Sequence, residues 1–160
     1  MIQSIRRNVT WRAIPVAALA AGTVHLLINV IFTPLLLQVN PLLILRYMGS
    51  LVLGEGVLTT NSVVPIIVGV IVHYALSLVF TLVIAIVIHR WGLLVGIVGG
   101  AILGLAFYGI NLYTMTLLFS WFFAINSAVL LVSHILFGAV AGGVYEMLDH
   151  YDMPLREGVQ

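Results

Sequence analysis

Three histidines sit inside runs apolar enough to cross a bilayer: His25 in "AAGTVHLLINV", His73 in "VGVIVHYALSL" and His134 in "VLLVSHILFGA". Imidazole is the side chain that titrates near neutral pH. It also ligates zinc, copper and iron, and two imidazoles on facing helices suit the axial positions of a haem. Three readings of the set stay open on sequence alone. Each ring could simply bond a neighbouring Asn, Ser, Tyr or carbonyl. His25, His73 and His134 could instead hold a metal or haem, or they could relay protons or line the path of a small solute. No HxxxH pair or other tight ligand spacing decides among these.

Other chemistries are poorly supplied. The chain has no cysteine, which excludes disulfides, thiolate metal sites and Cys nucleophiles, so any metal would need His, carboxylate, Met or Tyr. Ser77 and Ser133 lie near histidines in depth or sequence. However, Glu55 is the only acidic residue before Glu146, so a triad lacks its buried orienting carboxylate and no catalytic residue is assigned. "GIVGGAILG" lies inside an apolar run, and without a strand before it or a Lys in it, it is no phosphate cradle. With six basic and five acidic residues and no lysine, there is no basic surface for nucleic acid.

Helices must position the histidines. With 62% apolar and 7% charged residues and a mean hydropathy of +1.23, the chain reads as an integral membrane protein. A bilayer core of about 30 Å needs ~20 helical residues. Four runs suffice, at 13–37, 63–89, 92–118 and 124–148. The first resembles a signal peptide in its leading Arg6 and Arg7 and its "AALAA". The long apolar stretch after that site suits a retained span better. The expected architecture is an all-α membrane protein, a single domain over 1–160: a four-helix up-down bundle plus one short interfacial or re-entrant helix. Spans two and three, joined by "HRWG", are expected to be adjacent and antiparallel. Arg6, Arg7, Arg12, Arg90 and Arg156 fall on one side and Arg46 alone on the other, so both termini are expected in the cytoplasm.

The stretch 38–62 is apolar but broken by Arg46 and Glu55, and its central run is too short to cross. It reads as an outer-side helix over about 40–56, with Arg46 and Glu55 as interfacial anchors or an ion pair. "NLYTMTLLFSWFFAIN" supplies aromatic residues to the outer interface. The closing stretch "YEMLDHYDMPLREGVQ", with Glu146, Asp149, His150 and Asp152, reads as a solvated helix end rather than a metal cluster, with a cytoplasmic tail over 149–160.

Each span carries a stripe of small and polar residues, as expected where bilayer helices pack closely. In span three Gly92, Gly96, Gly100 and Gly104 recur every fourth residue and lead on to Tyr108 and Asn111. Span two gives Gly69, His73, Ser77 and Thr81, and span one gives Ala18, Gly22, His25 and Asn29. Span four gives Ser127, His134, Gly138 and Gly142. At a rise of 1.5 Å per residue, His73, Tyr108 and His134 each lie about 15 Å below the outer ends of their spans, with His25 and Asn29 at about 18 and 12 Å. A polar layer of His25, Asn29, His73, Ser77, Tyr108, Asn111 and His134 is therefore expected near mid-bilayer. Interhelical hydrogen bonds in membranes average only ~0.6 kcal/mol, a weak structural return for so many polar groups at one level. Intramembrane ionisable groups are functional candidates by default.

"LGEGVL", "VHYALSL", "IHRWGLLVGIVGGA" and "SHILFGAVAGGVY" resemble a group of small four-span bacterial inner-membrane proteins, some of which carry a sodium:proline symporter label. Such symporters use repeated bundles with broken helices around a central site, so four spans would have to assemble in several copies. The expectation is a small accessory or cofactor-holding subunit, binding haem or a His-ligated metal or docking onto a larger membrane complex or its own copies. The alternative is proton or solute transport through the bundle or an oligomer of it.

Overall fold

The computed structural model describes the backbone of residues 9–157 and the side chains of residues 9–149. The side chains of Arg6, Arg7, His150, Asp152 and Arg156 lie outside the described residues. In chain order the helices are α1 (Ala13–Leu37), the short α2 (Leu43–Leu53), α3 (Val64–Ile88), α4 (Leu93–Gly109) and α5 (Ala128–Glu157). Four stretches are long and apolar enough to cross a membrane: Ala13–Leu37, Val64–Ile88, Leu93–Leu117 and Ala128–Asp149, with mean hydropathies of 2.0, 2.6, 2.2 and 1.9. In hydrocarbon a backbone must satisfy its own hydrogen bonds, and these runs do so as helices. The protein is an all-α membrane bundle of four helices plus a short one.

Glycine decides which helices meet. A Cβ on Gly100 would come within 2.1 Å of the Gly138 carbonyl, and one on Gly104 within 2.1 Å of the His134 carbonyl. The reverse contact, Gly142 against the Gly96 carbonyl, is equally close at 2.0 Å. The glycine ridge of α4 is thus covered by α5 along its length. Helix α5 also packs on α1, and α1 on α3, whereas α3 and α4 touch only lightly. The tight turn does join α3 to α4, yet the small-residue face of α4 is turned to α5, which leaves the α3–α4 side as the loose seam of the bundle. Gly92 plays another part than the packing role expected of it. Its φ is +87° and a Cβ there would meet nothing within 4 Å, so it serves the turn, which also holds Arg90 at φ 63°.

The short helix packs on the start of α3. Gly49 abuts the Pro65 carbonyl and Gly69 abuts the Leu45 carbonyl, so α2 runs antiparallel along the first turns of α3. Leu45 therefore lies about 7 Å along α3 from its start. Helix α2 ends at Leu53, and a 3-10 turn, Glu55–Thr59, follows Gly54. Arg46 and Glu55 do not pair: Arg46 Nη1 donates to the Thr60 carbonyl at 2.6 Å, because the chain doubles back to present that unpaired oxygen. The fourth span starts at Ala128 rather than 124. Past Gly109 the chain loosens into a π turn, Ile110–Thr114, and 3-10 turns at Met115–Leu117 and Ser120–Ile125. The aromatic residues of this connection divide. Phe123 is exposed to the surroundings, while Phe122 is buried and Trp121 donates to Ser50 Oγ at 2.9 Å.

The apolar core falls into two parts. One, toward the chain termini, joins Ala17, Ala21, Ile84, Ile88, Phe107, Phe137 and Ala141. The other, toward α2, joins Ile44, Leu45, Met48, Leu112, Phe122 and Leu130. Glu146 and Asp149, expected at a solvated helix end, are both 5% exposed. The end of α3 and the start of α1 close over them. Glu146 accepts the Gly92 N–H at 3.0 Å, Thr10 donates to Asp149, and His89 lies 3.6 Å from the Asp149 carboxylate. Tyr145 OH completes this knot, accepting the Thr10 N–H at 3.2 Å and lying 2.9 Å from His89 Nδ1.

Candidate functional site

Between the two apolar parts lie the histidines. His25 on α1, His73 on α3 and His134 on α5 are each 7% exposed or less. They meet because each occupies the small-residue face of its helix, where the backbones come close. The His73 ring stacks on that of His25 with centroids 5.4 Å apart, and His134 meets His25 edge-on at 4.7 Å. His73 Nε2 lies 2.8 Å from the Gly22 carbonyl. Ser77, one turn along, bonds back to the His73 carbonyl at 2.8 Å and sits against Gly22, so its part in the layer is packing.

The hydrogen bonds fix an order of protons. Asn111 Nδ2 lies 3.2 Å from His134 Nε2, and an amide nitrogen can only donate. His134 Nε2 is then the acceptor and Nδ1 carries the proton, donating to the Leu130 carbonyl at 2.8 Å. His25 Nε2 lies 3.3 Å from that same Nδ1. His25 Nδ1 is buried and has no hydrogen-bond partner among the described residues. This assignment follows from the network, not from observed hydrogens. On the opposite side of His25, Asn29 donates to the His25 carbonyl at 2.9 Å and to Ser133 Oγ at 2.8 Å. Ser133 is the polar member that helix spacing did not single out, although it precedes His134 in the chain. Tyr108 stands at the margin, its ring 5.8 Å from that of His134 and its hydroxyl donating to Asn126 at 2.8 Å.

The His25 and His73 rings are stacked, and both nitrogens of His134 have hydrogen-bond partners. Among the described residues no three His, Asp or Glu side chains gather where a metal could sit.

Against the His134 and Asn111 end of the layer lies a cavity of about 340 Å³. Leu76 and Phe80 of α3 form one wall, Met48 and Leu51 of α2 another, and Tyr108, Asn111 and Met115 a third. Phe119 and Phe122 close it from the connection before α5. The walls are almost wholly apolar, and Tyr108, Asn111 and His134 supply the polar groups. A smaller void of about 30 Å³ between His25, His73, Ser77, Asn111 and His134 shares Met48, Leu76, Phe80, Asn111 and His134 with it. The π turn that carries Asn111 borders the cavity, and such wide turns recur at functional sites. The hydrophobic wall residues carry no sequence signal, because in a bilayer a Leu or Phe facing lipid looks the same as one facing a cavity.

Compared with known proteins, the chain matches no family model, and no curated protein or solved structure shows significant similarity to it.

Proposed function

We propose that the protein is a small membrane-embedded binding subunit. It admits a lipid-soluble molecule through the light α3–α4 seam and holds the molecule's polar group against Asn111 and the imidazoles behind it. The cavity of about 340 Å³, apolar-walled with one polar edge, is the observation that carries this reading. Small-molecule sites are built this way, with mostly apolar walls and a few convergent polar groups. The unpartnered Nδ1 of His25 supports it further, since a buried polar group left unpaired costs about 1–3 kcal/mol and marks a place under functional rather than purely structural demand.

Proton or solute passage has less support. The imidazole chain would relay protons within the layer, but Ile84, Ile88, Phe107, Phe137 and Ala141 lie between it and the polar knot of His89, Tyr145 and Asp149. In the favoured reading the host is a bacterial inner membrane with both termini cytoplasmic. Arg12 and Arg90 stand at the terminal end against Arg46 alone at the other, in keeping with the positive-inside tendency.

The test is organic extraction of protein purified in native-lipid nanodiscs, followed by mass spectrometry. Wild type is expected to carry a near-stoichiometric lipid-soluble compound that Leu76→Trp, which fills the cavity, lacks. Equal content in both folded proteins would overturn the reading.

A further inference from the structure

Resting on the reading of the cavity as a binding site, we infer that its occupant is a quinone-type molecule: a planar ring bearing carbonyl or hydroxyl oxygens, with an apolar tail. Three observations narrow the class. The first is the absence of charge. Among the described residues no Arg, Lys, Asp or Glu lines the cavity, so a phosphate or carboxylate head would be buried unpaired, at a cost that disfavours phospholipids and ionised fatty acids.

The second is the polar edge. Asn111 commits one N–H to His134 Nε2, and its other N–H and its Oδ1 have no partner among the described residues. The amide thus keeps one donor and one acceptor for a ligand. A ring carbonyl takes the N–H; a ring hydroxyl accepts that N–H and donates its own proton to Oδ1. Both oxidation states of a quinone therefore fit the same amide without rearrangement, while His134 holds the amide in place.

The third is the shape and softness of the walls. At about 340 Å³ the cavity is near the lower end of the roughly 300–1,000 Å³ of small-molecule sites, room for one ring system and not for two acyl chains. Phe80 and Phe122 offer aromatic faces and edges, and Met48 and Met115 offer thioethers. Both kinds of group favour an aromatic or quinonoid ring specifically. A saturated chain would gain only general apolar burial. The tail leaves between α3 and α4 into lipid.

The experiment is equilibrium dialysis of wild-type protein in nanodiscs against a 1,4-naphthoquinone with a short alkyl tail, with 1-dodecanol as a ring-free probe and protein-free nanodiscs as background. Saturable quinone binding is expected, weakened roughly tenfold in Asn111→Leu by loss of the hydrogen bond and abolished in Leu76→Trp. Saturable binding of dodecanol without quinone would overturn the quinone assignment while leaving the cavity a binding site. Binding of neither probe would overturn both. Quinone uptake equal in wild type and Leu76→Trp would show partition into lipid and overturn the assignment. Leu76→Trp touches no hydrogen bond of the layer, so its arm decides the matter if Asn111→Leu does not fold.

Discussion

His134 ties three helices together through two nitrogen atoms. Asn111 in the π turn after α4 donates to one of them, and the other faces the Leu130 carbonyl and His25 on α1. Replacing it by Phe keeps the ring's bulk but leaves the Asn111 amide and the His25 ring nitrogen without that partner. His134→Phe is expected to destabilise the fold by about 1–3 kcal/mol, read by denaturant unfolding in detergent. Tyr108→Phe serves as the comparison. Its hydroxyl bonds Asn126 at an exposed position, so the loss should stay within about 0.5 kcal/mol. An equal loss in both variants would mean that the imidazole network carries no special share of stability. The Asn29–Ser133 bond asks a finer question, because both partners are fully buried. A double-mutant cycle with Asn29→Leu and Ser133→Ala should return a coupling of about 0.6 kcal/mol, the ordinary worth of an interhelical bond in a membrane. A coupling several times larger would place Asn29 in the site, not beside it.

At the scale of the helix the close contacts are carbonyl against glycine, and this makes the packing brittle at some positions and indifferent at others. A methyl on Gly100 or Gly138 would meet backbone at 2.1 or 1.9 Å, which only separation of α4 from α5 can relieve. Gly100→Ala is therefore expected to cost about 1–3 kcal/mol or more. Gly56→Ala meets nothing within 4 Å and should be near neutral in the same unfolding assay. Comparable losses at the two sites would mean that α4 and α5 are not so closely apposed. The glycine period marked this face of α4 for packing but not the helix that would cover it; the four spans were legible because length and hydropathy alone locate a helix that must cross hydrocarbon. The polar layer was legible for the same reason: in a bilayer only small and polar residues betray the inner face. Met48, Leu76, Phe80 and Phe122 were not, because wall and lipid-facing residues are chemically alike. Nor was the burial of Glu146 and Asp149. It depends on Thr10 and the Gly92 amide, which local spacing does not connect to α5.

For the whole molecule the decisive quantity is the distance between its two ends. Helix α3, with 25 residues, extends about 37 Å, which exceeds the ~30 Å hydrocarbon core. Glu55 and Arg90, both exposed and on either side of α3, must therefore lie at opposite faces of the bilayer. The chain contains no cysteine, so Glu55→Cys and Arg90→Cys each provide a single thiol on an otherwise silent background. With an impermeant maleimide applied to spheroplasts, Glu55→Cys should label at once and Arg90→Cys only after lysis. The reverse pattern would invert the proposed orientation, and labelling of both in intact cells would contradict a spanning α3. On the proposed binding reading, the outcome also fixes where a ligand would enter. The cavity is bounded by α2 and by the connection before α5, which lie at the Glu55 end, so the expected pattern puts its mouth in the outer half of the bilayer. A lipid-soluble molecule would then reach Asn111 from the leaflet opposite the chain termini, and a photoreactive quinone restricted to the outer leaflet should label the protein more than one confined to the inner.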